Sequence, residues 1–192
     1  IKHVKTQDNI FKKKKGLKIR LLSLAKKIEG KIAAFVAPVF VKDDSFAYDV
    51  NFEFNAVQIE ALFIDKQVFT GKGAEGYPTA SAVLSDISAL QFDYQYEYKK
   101  LDESQVELAE DVVLKAFVST SEPAKLAGIE FETIEEEFTS QQYAYKVGNI
   151  KLSKFTHEQY RANPDLFISF FEEGVVEVLN GKENQLANQI LT

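Results

Sequence analysis

The stretch from Phe46 to Asn55 constrains the fold of this chain more than any other, because it alternates strictly between larger apolar or aromatic residues and small or polar ones. Successive side chains of a strand point to opposite faces. One face of an extended chain would therefore carry Phe46, Tyr48, Val50, Phe52 and Phe54. The pattern predicts a β-strand buried on its aromatic side.

A second stretch, Leu90 to Lys99, has the same alternation and ends in a row of tyrosines. Two such strands predict one sheet with an aromatic face. The chain has 16 Phe and 8 Tyr among 192 residues, and these are expected to supply most of its core. A tyrosine row can also stack nucleic-acid bases, but few cations lie near this one in sequence, so core packing is the better interpretation.

The region from Pro164 to Asn180 has the signals of an amphipathic helix. Asn163 can cap it, Pro164 suits the first helical position, and Asn180 with Gly181 can close it. Its apolar residues form a wide stripe that must be buried. The predicted fold class is therefore α+β, an antiparallel sheet whose aromatic face is covered by this C-terminal amphipathic helix.

The N-terminal segment is strongly basic. Residues 1–31 carry 11 of the 23 Lys and Arg but only 2 of the 29 Asp and Glu, although the whole chain has a formal charge of −6. A block of like charge usually stays mobile, so Lys12 to Lys15 predict an arm. Leucines and isoleucines at helical spacing then predict a basic amphipathic helix over Leu17–Glu29. We expect two parts, a basic arm and helix at 1–31 and a single acidic α+β domain at 32–192.

Three hairpins are predicted from turn residues, and the first joins Ile32–Val41 to the strand at Phe46–Asn55 through Asp43-Asp44-Ser45. Gly148 and Asn149 favour a two-residue turn that pairs the segments on either side of it. Residues Val57–Ile64 and Gln67–Thr70 suggest a second strand pair around Asp65 and Lys66, with a helical alternative. Leu101–Thr120 is ambiguous, and a short helix followed by a strand is favoured.

The composition excludes several classes of protein. With no Cys, the chain has no disulfide, thiolate nucleophile or cysteine metal site, and its redox compartment is undetermined. Its longest uncharged apolar run, Ile32–Val41, is about half of what a membrane-spanning helix needs. We expect a soluble protein without a signal peptide or transmembrane segment, at an unknown location. The absence of Met and the start at Ile1 favour either proteolytic maturation or an artificial boundary at this position.

One glycine-rich stretch matches G-x-G-x-x-G, with its weak candidate ligand residues at Gly71, Lys72, Gly73 and Gly76. In a dinucleotide-binding fold this motif turns from a strand into a helix whose N-terminus holds phosphate. Here no alternating series of strands and helices surrounds the motif, and Tyr77-Pro78 is expected to delay the helix. A flexible loop is the favoured interpretation.

Other candidate chemistry is weak. His3 lies in the arm, and His157 is most simply a surface residue in the first turn of a helix. Acidic groups occur at 43–49 and 130–137, but neither has the spacing of a calcium loop. We therefore expect no catalytic residue, no metal site and no cofactor.

The basic residues offer the strongest functional signal, because they can neutralise phosphates, lie on an anionic membrane or dock on an acidic protein. The candidate nucleic-acid or partner-binding residues are Lys12, Lys13, Lys14, Lys15, Lys18, Arg20, Lys26 and Lys27. The favoured function is a non-enzymatic structural or binding subunit of a virus-like or other large assembly, tethered by its basic N-terminal arm to nucleic acid or to neighbouring subunits. The alternatives are a peripheral membrane-surface protein using the basic helix and a small enzyme with a phosphate-binding glycine loop.

Overall fold

The structure, a computed structural model, describes residues 4–28, 30–95, 107–109, 111–155 and 163–179, and over 173–179 it describes the backbone alone. The chain forms two compact units. The first unit comprises Ile1–Lys42 and Val106–Thr192, and the second comprises Asp43–Gln105. The division predicted at residue 31 stays a prediction.

The described secondary structure consists of eight strands, three α-helices and a short 3₁₀ helix. In chain order they are α1 (Thr6–Lys14), β1 (Lys18–Ile28), β2 (Lys31–Val41), β3 (Phe54–Ala61), β4 (Asp65–Lys72), α2 (Gly76–Gln91), β5 (Asp111–Thr120), α3 (Pro123–Ala127), β6 (Thr133–Thr139), β7 (Ala144–Lys151), the 3₁₀ helix (Leu152–Phe155) and β8 (Phe167–Leu179). None of the helices in the described ranges is long and apolar enough to cross a membrane.

The first unit is built on a six-stranded sheet in the order β1-β2-β8-β5-β7-β6. Its neighbouring strands are antiparallel except β2 and β8, which run parallel and pair at Val39 with Phe170 and at Phe40 with Phe171. The sheet is therefore mixed, and the predicted antiparallel α+β class is wrong. The parallel pair joins two segments that are far apart in the chain, a relation that local pattern cannot reveal.

The C-terminal helix predicted over Pro164–Asn180 is also wrong, because this region forms a turn and the strand β8. The N–H of Leu166 donates to the carbonyl of Asn163 at 3.0 Å, so Asn163 and Pro164 begin a turn. The residues that follow are rich in Phe, Ile and Val, which suit a strand buried between two neighbours. β8 lies inside the sheet, between β2 and β5.

The basic amphipathic helix predicted over Leu17–Glu29 is wrong for a similar reason. Its residues form β1, whose 11 positions from Lys18 to Ile28 all pair with the almost entirely apolar β2. Leu21, expected on the buried face of the helix, is 65% exposed in the strand. When the apolar residues of a segment fit both a helix and a strand, pairing with another strand along the whole segment favours the strand.

The predicted mobile arm is a docked helix. Residues 6–14 form α1, and Phe11 on this helix is buried with its ring centroid 4.5 Å from that of Phe117 and 5.9 Å from that of Phe40. The buried core cluster on this side of the sheet comprises Phe11, Leu17, Phe40, Phe117, Val147 and Phe167. α1 therefore packs on the sheet where a C-terminal helix was expected.

In the second unit, β3 and β4 pair as an antiparallel ribbon from Phe54 with Lys72 to Ala61 with Asp65. This confirms the predicted strand pair, with its turn two to three residues earlier than expected. The organising strand predicted at Phe46–Asn55 is wrong, because consecutive turns occupy most of residues 43–53. Asp43, Asp44 and Ser45 begin these turns, so turn chemistry overrides the alternation.

Two further predictions fail or lie outside the description. Leu90 and Gln91 end α2 rather than opening a strand, and residues 96–99 of that prediction lie outside the described residues. The predicted hairpin turn at Gly148 and Asn149 is wrong, because β7 runs straight through both residues and pairs with β5 and β6.

Candidate functional site

The candidate site is the loop between β4 and α2, which we call the glycine loop and define as Gly71–Gly76. The structure carries the chain directly from a strand into a helix here, since α2 begins at Gly76. The expectation that Tyr77-Pro78 would delay the helix is wrong, because Pro78 lies within its first turn, where a missing N–H costs nothing.

The neighbours of the loop come from the start of β3. The N–H of Gly73 donates to the carbonyl of Glu53 at 3.0 Å. A Cβ atom placed on Gly73 would lie 1.8 Å from Nδ2 of Asn55, whereas one placed on Gly71 or Gly76 would meet nothing within 4 Å. Of the three glycines in the loop, Gly73 is thus the one that lies closest to another side chain.

The charge of Lys72 is offset by the carboxylate of Glu53, which immediately precedes β3. Its Nζ lies 2.9 Å from Oε1 of Glu53 and 5.5 Å from the centroid of the Phe54 ring. The hydrogen bond from Lys72 lowers the pKa of Glu53, and a backbone hydrogen bond adds to the effect. Lys72 is therefore paired with Glu53, although its side chain is 56% exposed.

The start of α2 has no side-chain cap and no acidic residue in its first turn. Glu75 precedes it with φ +81°, a left-handed conformation that is uncommon for a residue with a side chain. Thr79 turns its hydroxyl back to the carbonyl of Glu75 at 2.9 Å. The first-turn N–H groups and the positive end of the helix dipole are oriented to favour an anionic group.

The glycine loop does not lie in a dinucleotide-binding fold. Its preceding strand belongs to an antiparallel two-stranded ribbon, while the nucleotide fingerprint requires a parallel β-α-β unit. Of the weak ligand residues, Gly71 and Lys72 end β4, Gly73 lies in the connection and Gly76 opens α2. The structure brings them together in a loop that can contact one anionic group.

The predicted partner-binding lysines do not form one basic helix face. Lys12, Lys13 and Lys14 lie in the last turn of α1, where positive charge suits the helix dipole. Lys15 follows the helix and pairs with Glu136 at 2.6 Å. The remaining four, Lys18, Arg20, Lys26 and Lys27, are distributed along β1, whose ends are about 30 Å apart at the usual rise of a strand.

The acidic run at 130–137 is largely matched by lysines. Glu130, Glu132, Glu135 and Glu136 pair respectively with Lys154, Lys151, Lys115 and Lys15. Within the described ranges no group of three His, Asp or Glu could hold a metal ion. His3 and His157 lie outside those ranges.

Sequence reasoning missed a buried carboxylate, Asp8, in the first unit. Asp8 is fully buried and accepts hydrogen bonds from the N–H of Lys5 at 2.7 Å, from Oγ of Ser119 at 2.6 Å and from the hydroxyl of Tyr143 at 2.7 Å. Burial and the nearby Asp8 raise the pKa of Tyr143 far above its usual value. The spacing of Asp8 from the start of α1 was the available signal, since an acid at this position can cap a helix.

Asp165 is the centre of a second group of hydrogen bonds, at the turn before β8. It accepts hydrogen bonds from Oγ1 of Thr120 at 2.7 Å and from both the N–H and the hydroxyl of Ser121. Nζ of Lys5 lies 3.5 Å from its carboxylate. Burial alone would raise the pKa of Asp165, but these donors hold it well below its usual value. Asp8 is buried and Asp165 is partly buried, and each joins elements that are far apart in sequence.

Comparison with known proteins finds similarity to enzymes of one class, the dehydrogenases. Residues 1–88 match the homoserine dehydrogenase family. The homoserine dehydrogenase of Helicobacter pylori is 36% identical over 87 residues, which are 45% of this chain and 21% of that protein. The Bacillus subtilis enzyme is 32% identical over 90 residues, 47% of this chain and 21% of that protein. The matched part thus spans about a fifth of these curated relatives.

Solved structures show the same likeness in fold over a larger part of the chain. A homoserine dehydrogenase from Thiobacillus denitrificans superposes with a TM-score of 0.57 at 18% identity, covering 86% of this chain and 45% of that one. The S. aureus homoserine dehydrogenase at pH 8.5 gives a TM-score of 0.51 at 20% identity, covering 87% and 44%.

These similarities overturn the predicted function. The expectation of a non-enzymatic assembly subunit is wrong, because the family and the relatives that match are enzymes. Among the functions considered from sequence, the small enzyme with a glycine loop fits better. The assembly interpretation gave weight to a mobile basic arm that the structure replaces with a docked helix and an edge strand.

Proposed function

We infer that this chain contributes to an oxidoreductase that removes hydrogen from homoserine or a closely similar amino alcohol. The observation that carries the proposal is the match of residues 1–88 to the homoserine dehydrogenase family. Relatives at least 30% identical to this chain over that region support it. The glycine loop and most of α2 lie inside the matched range.

The role assigned to the glycine loop is to bind an anionic group. Homoserine carries a carboxylate, and the nicotinamide dinucleotides that accept hydride carry phosphates. The uncapped start of α2 can receive either group through its N–H donors and dipole. Lys72 would add little net attraction, since Glu53 already pairs with it at 2.9 Å.

A whole dinucleotide does not fit the described residues, because the ribbon of β3 and β4 is antiparallel and the parallel unit that surrounds such a cofactor is missing from the described part of the chain. Hydride transfer requires an acceptor of the nicotinamide type when the reaction runs. The residues of this chain are assigned only the orientation of one charged group beside the glycine loop.

The test has two readouts on the full chain. Purified protein is given homoserine with NAD⁺ or NADP⁺, and formation of the reduced nicotinamide is followed by absorbance. In parallel, the amide resonances of Gly71–Thr79 are recorded by NMR during separate titrations with homoserine and with each dinucleotide. We expect these resonances to shift with at least one ligand, whether or not the chain turns over alone.

A result with neither turnover nor resonance shifts in the glycine loop would contradict the proposal. Shifts confined to the first unit would contradict the role of the loop while leaving the reaction open to a separate assay. As a control, threonine is titrated in place of homoserine, because it has the same carboxylate and amine but a secondary hydroxyl one carbon nearer. Equal shifts with both amino acids would assign the loop to the shared carboxylate.

A further inference from the structure

A cavity in the first unit lies in a part of the chain that the family match at residues 1–88 does not reach. Its volume is about 360 Å³, and it is lined by residues of α3, of the 3₁₀ helix and of the start of β8. Pockets that bind small molecules usually measure about 300–1,000 Å³, so this one is at the lower end of that range. At about 30 Å³ for each water-sized group, it has room for about a dozen non-hydrogen atoms.

The buried wall of the cavity is apolar. Leu166 and Ile168, just before and within the start of β8, line it and are each 5% exposed. Phe155 lines it from the 3₁₀ helix, and the centroid of its ring lies 6.3 Å from that of Phe170. Ile129 adds a further apolar side chain from the segment after α3. This wall can bury an apolar group, which is favourable in proportion to the area removed from water.

Charged side chains line the same cavity at the surface of the protein. Lys125 on α3 and Lys154 in the 3₁₀ helix have side chains that are 34% and 41% exposed. Glu130, also in the lining, has its Oε2 2.5 Å from Nζ of Lys154. These lining residues thus carry two positive charges and one negative charge, while Glu122, outside the lining, pairs with Lys125 at 2.7 Å.

The ion pair of Glu130 and Lys154 can be exchanged for a pair with a ligand. The side chain of Glu130 is 75% exposed, and pairs of this kind contribute little to stability because water competes for both charges. A ligand carboxylate would form the same charge-assisted hydrogen bond with Lys154. A ligand with an apolar tail would also bury that tail against the cavity wall, a gain that Glu130 lacks.

We propose that this cavity binds an organic carboxylate with an apolar tail of about ten non-hydrogen atoms, its carboxylate between Lys125 and Lys154 and its tail against the apolar wall. The two lysines select a negative charge, and the wall selects against small inorganic anions. Glu130 is the internal competitor, which pairs with Lys154 until a ligand replaces it. The site belongs to the first unit, so the proposal does not depend on the reaction assigned above.

The first test varies the ligand on the full chain. Straight-chain carboxylates from butanoate to decanoate are titrated, and the amide resonances of residues 128–130 and 166–168 are followed by NMR. Affinity should rise about fourfold with each added CH₂ group while the tail still enters the cavity, and should level off once the cavity is full. Octylamine and octanol are the matched ligands, because they keep the tail but reverse or remove the charge. Inorganic phosphate tests the charge without a tail.

The second test varies the protein, with octanoate as the probe. Lys154→Gln should weaken binding by about tenfold, because a charge-assisted hydrogen bond is lost. Glu130→Gln should strengthen binding severalfold, because the competing carboxylate is gone. Lys115→Gln is the matched control, since Lys115 also pairs with a glutamate, Glu135 at 2.7 Å, but does not line the cavity, and its affinity should be unchanged. Circular dichroism checks that each variant keeps its secondary structure.

Three results would overturn the proposal. The first is the absence of resonance shifts in these residues with every carboxylate, or equal affinity for octylamine and octanoate. The second is an affinity that does not depend on tail length, since charge alone would then hold the ligand. The third is weaker binding of octanoate to Glu130→Gln, because Glu130 would then assist the ligand rather than compete with it.

Discussion

Gly148 allows two strands to lie very close together because it has no side chain. It lies buried in β7, and a Cβ atom added to it would lie 1.9 Å from the carbonyl oxygen of Thr133 on β6. The obstacle is backbone, which cannot move aside as a flexible side chain does. The glycine that predicted a turn here instead lets two strands approach closely, which is another common reason for glycine within a strand.

Replacing Gly148 with Ala should therefore destabilise the first unit. We expect Gly148→Ala to lower the free energy of unfolding by about 3 kcal/mol, in line with other overpacked buried sites. Gly128→Ala is the matched control, because its added Cβ would have its nearest neighbour at 3.8 Å. Urea denaturation of both variants measures the difference, and equal midpoints would show that β6 can move away from β7.

Gly73 gives a contrasting case, since its close neighbour is the end of a side chain. Gly73→Ala should displace the Asn55 amide and cost less than about 1 kcal/mol, because exposed side chains relax. Repeating the change in an Asn55→Ala background should remove most of this cost, and Gly71→Ala should have none. Urea denaturation gives the stabilities; a cost that persists without Asn55 would mean that the loop backbone itself is strained.

At the scale of elements, α1 is the helix that secures the N-terminal segment to the sheet. Phe11 is 7% exposed, while its neighbour Ile10 is 49% exposed. Phe11→Ala should lower the free energy of unfolding by about 3–5 kcal/mol, as for other buried phenylalanines, and Ile10→Ala should have a much smaller effect. Thermal or urea unfolding compares the two, and similar losses would indicate that α1 does not depend on this ring.

Elements differ in how far the sequence predicts them. The β3–β4 pair and the strand β5 follow from local pattern, whereas β1 and β8 were assigned as helices because their apolar residues also fit a helical face. What decides them is pairing: all 11 positions of β1 match β2, and β8 lies between two other strands. A single sequence contains the periodicity of each segment but not the partner that selects between two periodicities.

The candidate site was predictable in part. The motif at Gly71–Gly76 was visible in the sequence, but its direct connection from a strand to a helix was not predicted, because a flexible loop was favoured. The contacts of Glu53 and Asn55 with Gly73 depend on strand register, which no local signal specified. The enzyme class was not predicted from the residues because no catalytic motif stands out in the sequence beyond the weak glycine-rich stretch.

At the scale of the whole molecule, we expect the free energy of unfolding to fall in acid because Asp165 becomes protonated. Because its pKa is lower in the folded chain than in the unfolded one, its contribution to stability is present above the ordinary value near 3.9 and is lost as the pH falls below about 4. The free energy of unfolding should therefore drop steeply between about pH 4 and pH 2.

The Asp165→Asn variant isolates this effect. It should be about 2 kcal/mol less stable at neutral pH, since it loses hydrogen bonds to a charged group, and its stability should fall less steeply in acid. Asp44→Asn, a change on an exposed residue, is the control. Urea denaturation at a series of pH values measures the slopes, and parallel curves for Asp165→Asn and the unmodified chain would assign acid sensitivity elsewhere.

The parallel seam between β2 and β8 also bears on how the protein is made. Val39 and Phe170 are paired although 131 positions separate them in the chain. A ribosome adding residues from the N-terminus would finish the hairpin of β1 and β2 long before the strand that covers its inner edge exists. That edge of β2, ending in Val39, Phe40 and Val41, has no β8 to pair with while the entire second unit is synthesised. Nascent chains are thus most prone to misassociation during this interval, when chaperones would be most needed.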